Sequence, residues 1–358
     1  MGGAKIRLYP GVEAFSTHRQ ERFSSLRASL FLAWSFGSHS TKLMREFSES
    51  KGVSWSLFEV YRLRPLHTYS FFMLGVFLMV AQPNPSVGAA ADLLKGVTFY
   101  ASFDTAVKGD FGGGELSLST RFNHKTEKGA FLFEKGFPEK VFRIAPGKGI
   151  SGGALEVVDV LPDNGRIYFP AKGNIGYKRG GWSGTLSVWI NHNPDTQLKT
   201  GFCDPVQITQ KGAGNGAIWF DYNDAKPNRN LRMGMFPAIA EGKASIQESR
   251  EAFSPMVWVD KPGFKVGDWH HVALVWHNFD TGKNDSSGTL TIDGKLMGEV
   301  KKDYPISMDW DLDRAGIYIG VNYIGLMDEL ALFNRALTPE EIGVLRSQPA
   351  VLSSLKPK

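Results

Sequence analysis

The chain has a single cysteine, Cys203, among its 358 residues. One thiol cannot form an internal disulfide or a four-thiolate zinc site, so stability has to come from packing. Cys203 precedes Asp204 and Pro205 in a predicted turn with no activating partner nearby, which favours an inert thiol. The sequence also lacks a G-x-S-x-G elbow, a phosphate-binding G-x-x-x-x-G-K-[ST] loop and an H-E-x-x-H pair. It therefore offers no support for the enzyme classes built on those motifs.

Excess positive charge is missing from most of the chain. The formal charge is +5, but residues 1–66 hold ten of the 41 basic and five of the 36 acidic residues, which leaves 31 of each sign afterwards. Nucleic-acid binding normally requires a concentrated basic face in the folded part. The charge distribution thus predicts no nucleic-acid partner.

Apolar runs long enough to span a membrane are also missing. Tyr69–Ala81 is apolar over 13 residues, follows Arg62 and Arg64, and precedes the small residues 88–91. A membrane span needs roughly 18 residues, whereas a basic flank, a short apolar core and small residues indicate a cleaved signal peptide. We expect this signal peptide over residues 67–91, with cleavage near Ala89 or Ala91.

This arrangement predicts a protein that is secreted, periplasmic or on the cell surface, with no stable membrane span after cleavage. Residues 1–66 show no clear period and are interpreted as a disordered leader or a gene-start artefact, with the true start at Met44 or Met73. Residues 92–358 are expected to form one domain.

That domain reads as all-β. Apolar runs of five to ten residues recur between Gly, Asn, Asp and Pro clusters, which is typical of a sandwich or barrel. Leu290 and Ile292, an Asp-Gly turn, and then Leu296 and Val300 predict an antiparallel hairpin. Residues 269–278 are apolar on both sides, as in a central strand. His270 and His271 are neighbours on that strand and point to opposite faces, so they cannot share a metal ion.

One helix is predicted at the end of the domain. Thr338 is a suitable N-cap, Pro339 suits the first helical position, and Glu341 completes a capping box. The pattern predicts a short helix over residues 339–347 packed on the sandwich.

The terminal string GLMDELALFNRALTPEEIGVL, with GDWHHVALVW and TLTIDGKLMGEV before it, resembles the closing half of a laminin-G-like, concanavalin A-like jelly roll. The resemblance covers about residues 96–347. It implies an antiparallel jelly-roll sandwich of two sheets, each with six or seven strands, that is often secreted and often holds glycans. Residues 238–267 are longer than the compact family pattern, and this stretch is expected to be an insertion that shapes a binding surface.

The resemblance also implies a structural calcium ion that ties the first strand to the last. Asp104 ends the first strand and Asp328 lies in GLMDEL, at the positions where the family carries carboxylate ligands. Calcium takes six to eight oxygens, so backbone carbonyls and water would complete the shell. The alternative is that Asp104 caps a turn and Asp328 faces solvent.

Asp309, Asp311 and Asp313 occupy every second position and share one face if the segment is extended. Glycosidases on related sandwiches use acidic residues at such spacing as nucleophile and acid. Against catalysis, those enzymes use Glu at both working positions, and the segment reads as a solvated loop entering a strand. Trp182 and Trp310 lie in turn-rich contexts and are the candidate ligand-binding residues, because exposed aromatic rings accept sugars.

These features favour a secreted, non-catalytic module that binds a glycan or an extracellular protein. Two alternatives stay open: a polysaccharide-cleaving glycoside hydrolase on the same fold, with Asp309, Asp311 and Asp313 as its catalytic candidates, and a structural surface protein. Fold does not decide among them.

Overall fold

The computed structural model describes residues 87–123, 125 and 131–355. The predicted leader and most of the predicted signal peptide lie outside this range. No helix in the described part has the length and apolar character needed to cross a membrane.

Within these residues the chain forms mainly strands, with helices near its two ends. The helices are α1 (Val87–Gly96), α2 (Pro339–Ser347) and α3 (Val351–Ser354), and a short 3-10 helix spans Pro162–Asn164. The strands of the first half are β1 (Val97–Ala101), β2 (Phe111–Gly112), β3 (Ser119–Asn123), β4 (Phe131–Lys135), β5 (Phe142–Ala145), β6 (Ala154–Val157), β7 (Arg166–Pro170) and β8 (Trp182–Asn191). Those of the second half are β9 (Cys203–Thr209), β10 (Ala217–Tyr222), β11 (Leu231–Phe236), β12 (Met256–Val259), β13 (His270–Phe279), β14 (Ser287–Ile292), β15 (Lys295–Lys301), β16 (Gly316–Val321) and β17 (Gly325–Phe333).

Two antiparallel sheets stack into a sandwich, which confirms the predicted fold class. In the described part of the chain, the back sheet has nine strands with β15-β14-β13-β8-β17-β1-β2 as its main path, and β5 and β6 are attached at β17. The front sheet has eight strands in the order β12-β11-β10-β9-β16-β7-β3-β4. Both sheets exceed the six or seven strands that the resemblance implied, because short strands such as β2 and β5 extend their edges.

Inward-facing apolar side chains of both sheets form one continuous core, as alternation in a two-sheet sandwich requires. The predicted central strand is β13, which lies between β8 and β14. Its Val272 and Leu274 face the core, and its Ala273 and Val275 face the helices on the other side of the back sheet. The double apolar pattern is therefore explained by burial on both faces.

The C-terminal helix α2 has the predicted bounds and capping box. Thr338 Oγ1 accepts a hydrogen bond from the Glu341 N–H, and Glu341 accepts one from the Thr338 N–H. Arg335 donates to Glu341 at 2.7 Å and holds the same corner. Helix α1 was not predicted; its Leu93 is fully buried beside α2 residues such as Ile342.

The predicted hairpin is present, with one difference in its facing. Asp293 and Gly294 both have positive φ, as a type I′ turn requires. A bulge opposite Leu290 and Thr291 then shifts the register of β15. Val300 remains buried, but Leu296 is 61% exposed, so the prediction that Leu296 joins the apolar face was wrong. The two-residue turn pairs Leu296 with Thr291, on the face away from the core, and the bulge after Leu296 returns Val300 to the core face opposite Gly288.

Candidate functional site

The outer face of the front sheet carries a row of polar and aromatic side chains. Strand register places Tyr168 opposite Tyr318, Tyr318 opposite Gln207, and Gln207 opposite Trp219, on strands β7, β16, β9 and β10. Alternation sends Ile167, Phe169 and Ile317 to the core, so the residues between them face outward. The fold therefore assembles this row from segments that are far apart in sequence.

A second row runs beside the first. Arg121 of β3 lies directly opposite Arg166 of β7 and, on its other side, opposite Phe133 of the edge strand β4. The Arg121 guanidinium carbon is 4.2 Å from the centroid of the Phe131 ring and 4.8 Å from that of Tyr318. We call Arg121, Arg166, Tyr168, Tyr318 and Gln207 the arginine–tyrosine face.

Specific contacts hold these side chains in place. Arg121 Nη1 lies 3.0 Å from the Tyr318 hydroxyl, to which it donates, and Arg166 Nη1 lies 3.2 Å from Gln207 Oε1. The Tyr168 and Tyr318 rings are tilted with centroids 5.2 Å apart. Gln207 is fully buried, yet its Nε2 has no hydrogen-bond partner. A buried amide left unpaired is unfavourable, and such groups often mark a ligand position.

The outer face of the other half of the front sheet, strands β10–β12, is covered by another segment of the chain. Arg232 donates to Asp221 through Nε at 2.8 Å and forms an ion pair with Glu248 at 3.0 Å. Ile246 packs against the cluster around Trp219. Glu248 and Ile246 belong to the predicted insertion at residues 238–267, so part of that insertion covers the β10–β12 half of the outer face. In the arginine–tyrosine face, Arg166 and Tyr168 are partly exposed, whereas Arg121, Tyr318 and Gln207 are buried.

Buried carboxylates on the covered half were missed in the sequence. Burial raises the pKa of Asp221 to about 6, and burial together with Asp221 raises the pKa of Asp204. The Arg232 guanidinium donates hydrogen bonds to Asp221, and this contact explains why a carboxylate can be buried in the covered half.

The carboxylates predicted for calcium lie beside one loop, residues 149–153. Asp328 is fully buried, and Asp104 Oδ1 accepts a hydrogen bond from the Gly153 N–H at 3.0 Å. Burial, with a smaller contribution from the nearby Asp104, raises the pKa of both Asp328 and Glu329 to about 8. Among the described residues, no basic side chain forms an ion pair with Asp104, Asp328 or Glu329. The solvent-facing alternative for Asp328 is wrong.

Three oxygen atoms converge at this loop, around the position that a side chain on Gly149 would occupy. A methyl group added to Gly149 would lie 2.0 Å from Gly153 O, 2.5 Å from Ser151 O and 2.6 Å from Asp328 Oδ2. Calcium–oxygen distances are about 2.3–2.6 Å. Over the described ranges, no three His, Cys, Asp or Glu side chains are grouped to hold a metal. A cation here would thus depend on backbone carbonyls as well as carboxylates.

The candidate ligand-binding residues Trp182 and Trp310 are not on the surface, and the prediction that they are exposed was wrong. They are 2% and 3% exposed, and their ring centroids are 5.5 Å apart in a cluster with Tyr177. Trp310 Nε1 donates to Gly216 O at 2.7 Å. Their turn-rich sequence context arises because aromatic rings close one end of the core beneath loops.

Asp309, Asp311 and Asp313 lie in the loop that precedes β16 and do not form a strand face. Asp309 pairs with Arg179 at 2.7 Å and Asp313 with Lys172 at 2.6 Å, both in solvent, while Asp311 Oδ1 accepts from the Asp313 N–H. A turn at residues 312–314 breaks the alternation that a shared face requires. This arrangement matches the solvated acidic loop better than a catalytic pair.

A surface depression lies beside this acidic loop. It has a volume of about 530 Å³ and is lined by Glu115, Lys172 and Asp313. The Ser117 N–H holds the pKa of Glu115 below its usual value, whereas a catalytic acid at a glycosidic bond needs a raised pKa. Glu115 therefore does not have the property required of such an acid.

His270, His271 and Cys203 have structural contacts. His271 Nε2 is 2.8 Å from Ser187 Oγ, and His270 Nδ1 is 2.7 Å from Asp293 Oδ2. Cys203 is buried at the start of β9 rather than in a turn, and burial raises the pKa of its thiol to about 11.

A sandwich of two antiparallel sheets with polar and aromatic side chains on one outer face is typical of jelly-roll proteins of the lectin and glucanase type. The chain belongs to the concanavalin A-like lectin/glucanases superfamily, whose family model matches residues 165–343, half of the chain. No curated protein matches the sequence.

The chain is also similar to several solved structures, at low sequence identity. Domain 4 of the GH43 extracellular arabinanase AbnA from Geobacillus stearothermophilus, in complex with arabinotriose, is 18% identical over 70% of this chain and 99% of that one, with a TM-score of 0.41. The binding domain of botulinum neurotoxin serotype D is 14% identical over 73% and 53%, with a TM-score of 0.43. The endo-β-1,4-glucuronan lyase of the fungus Trichoderma reesei is 14% identical over 66% and 95%, with a TM-score of 0.40.

Proposed function

We propose that this protein is a non-catalytic module that binds a glycan across the arginine–tyrosine face. The observation that carries the proposal is the partly exposed Tyr168 ring, which lies against the buried Tyr318 and on the same face of β7 as the partly exposed Arg166. Sugars bind by laying C–H faces on aromatic rings while polar groups accept and donate hydrogen bonds to hydroxyls. The partly exposed Arg166 beside Tyr168 supplies such donors.

The contacts of the acidic candidates support binding over hydrolysis. Asp309 and Asp313 are engaged by Arg179 and Lys172, and Asp221 by Arg232. A retaining or inverting glycosidase needs two opposed carboxyl groups with distinct pKa values beside an open groove. The Asp309–Asp313 loop does not provide that arrangement.

A glycan array followed by titration tests the proposal. The wild-type protein should bind at least one glycan, and Tyr168→Ala should weaken that binding at least tenfold because a stacking surface is lost. Tyr304→Ala is the matched control, since Tyr304 contacts Phe253 O away from this face. Equal loss in both variants, or release of reducing ends from the bound glycan, would contradict the proposal.

We also propose a structural calcium ion held by Asp104, Asp328 and carbonyls of residues 149–153. Bound there, the ion would offset the buried negative charge and link the end of β1 to β17. Calcium should raise the midpoint of thermal unfolding and a chelator should lower it, since a ligand that binds only the folded state stabilises it. An unchanged midpoint across both conditions would argue against the ion.

Export of the domain is a further proposal. A cut after Ala91 would retain Asp92, whose carbonyl accepts a hydrogen bond from Arg335, and the buried Leu93. Mass spectrometry of the N-terminus of the exported protein checks this. A peptide from residues 1–42 in that product would contradict it.

A further inference from the structure

We propose that the glycan recognised by this face is acidic, and that Arg121 and Arg166 together bind its carboxylate or sulfate groups. This inference rests on the proposed function and specifies the chemical class of its ligand.

The first support is an unfavourable contact within the protein. Arg121 and Arg166 are directly opposite on adjacent antiparallel strands, where like charges destabilise a sheet. No described carboxylate lies within ion-pair distance of either guanidinium. Burial lowers the pKa of Arg121, and Arg166 lowers it further. An anionic ligand between the two side chains would remove this repulsion.

Other arginines show that this situation is unusual for the protein. On the same face, Arg232 is engaged by both Asp221 and Glu248. Arg143, on the back sheet, forms an ion pair with Glu156 at 2.6 Å. Arg121 and Arg166 form no ion pair with a described carboxylate, although the charge of Arg166 acts on the buried Asp204 and favours its ionised form.

The second support is the way both guanidiniums are oriented. Arg121 is held between the Phe131 and Tyr318 rings and donates to the Tyr318 hydroxyl. Arg166 donates to Gln207. Each guanidinium has five N–H donors and binds planar oxyanions in a two-pronged manner. These contacts restrict the side chains before a ligand arrives, which lowers the entropy lost on binding.

The third support is the mixture of groups around the pair. Tyr168 offers a partly exposed ring beside Arg166, the Nε2 of the buried Gln207 lacks a hydrogen-bond partner, and Phe133 is 58% exposed at the edge of the sheet. A ligand with both sugar rings and acidic groups matches all of these. A nucleic acid would engage many phosphates over an extended basic surface, whereas residues 67–358 carry 31 charges of each sign.

Titration of the full-length protein with defined polysaccharides tests the inference. The probes are polygalacturonate for carboxylates, dextran sulfate for sulfates, a neutral β-glucan, and single-stranded DNA. Wild-type protein should bind one or both acidic polysaccharides at 150 mM salt at least tenfold more tightly than the neutral one. Arg166→Gln should lose at least tenfold of this affinity, whereas Arg143→Gln should retain it.

Thermal unfolding of the same variants separates a binding role from a structural one. Arg166→Gln removes one of two opposed like charges, so its midpoint without ligand should be equal to or above that of wild type. The midpoint of Arg121→Gln is expected to fall no more than slightly. Reduced binding together with a strongly lowered midpoint for Arg166→Gln would overturn the inference, because the arginine would then be structural.

The polysaccharide arms also separate failure of the inference from failure of the proposed function. Binding to the neutral glucan that both arginine variants retain would overturn the acidic ligand and leave glycan binding standing. No binding to any glycan would overturn both. Preference for DNA over every polysaccharide would overturn both as well. Binding to only one acidic probe would support the inference and identify carboxylate or sulfate as the recognised group.

Discussion

At the scale of the residue, identity alone did not reveal exposure. Trp182 and Trp310 have turn-rich neighbours in the sequence, yet both rings are buried where loops fold back over the end of the core. Arg121 and Gln207 could not be identified as site residues from the sequence, because a lone arginine or glutamine forms no motif. Their importance comes from partners 45 and 111 residues away, Arg166 and Tyr318. Such pairs are created by strand register, which local patterns do not encode.

Gly149 allows a direct test of the calcium site at this scale. A methyl group there would lie among Gly153 O, Ser151 O and Asp328 Oδ2, so Gly149→Ala should abolish the shift of the unfolding midpoint that calcium causes. Differential scanning fluorimetry with calcium and with chelator measures it. Gly343→Ala is the control, since a methyl group there meets no atom within 4 Å, and it should keep the full shift. A shift that survives in Gly149→Ala would exclude this position for the ion.

At the scale of the element, hydrophobic periodicity and capping residues predicted the central strand β13 and helix α2 correctly, whereas β-bulges could not be predicted. The bounds of α2 follow from Thr338, Pro339 and Glu341, because capping is a local interaction. The hairpin turn follows from Asp293 and Gly294, which tolerate positive φ. Short strands such as β3 were missed, since five residues with Arg and Asn lack clear alternation. The bulge in β15 has no sequence signal of comparable strength.

Two leucines in this hairpin face opposite sides of the sheet, which makes its register measurable. Leu290 is fully buried and Leu296 is 61% exposed. Leu290→Ala should lower the free energy of unfolding by roughly 2–5 kcal/mol through lost burial and a cavity, whereas Leu296→Ala should change it by less than about 0.5 kcal/mol. Urea unfolding followed by tryptophan fluorescence gives both values. Similar losses for the two variants would mean that Leu296 also packs in the core.

At the scale of the whole molecule, burial of ionisable groups links stability to pH. His192 is fully buried between the Tyr222 and Tyr323 rings, and burial lowers its pKa to about 3. An unfolded histidine has a pKa near 6.5, so the unfolded chain binds more protons between these values. This histidine therefore lowers the free energy of unfolding as the pH falls from about 6.5 towards 3. Asp328 and Glu329 act in the opposite sense, since their folded pKa is raised.

Comparison with a variant isolates the histidine from these opposing groups. The difference in unfolding free energy between wild type and His192→Gln should shift against wild type as the pH falls from 6.5 to 5, by about 2 kcal/mol. Urea unfolding at pH 7.5, 6.5 and 5 measures this difference. His277→Gln is the control, because His277 is exposed, and its difference from wild type should stay nearly constant. A difference for His192→Gln that does not vary with pH would contradict the argument.

The sequence by itself determined the class of fold, the central strand at residues 269–278, the hairpin turn, α2 and the neutrality of residues 67–358. These properties depend on alternation, turn residues, capping and composition, all of which act over a few neighbouring residues or sum over the chain. Only the tertiary structure decided which aromatic rings are exposed, that Arg121 opposes Arg166, and that Asp328 is buried beside the loop of Gly149. The physical reason is that burial and cross-strand pairing join residues far apart in the chain, and bulges and loop packing set which of them meet.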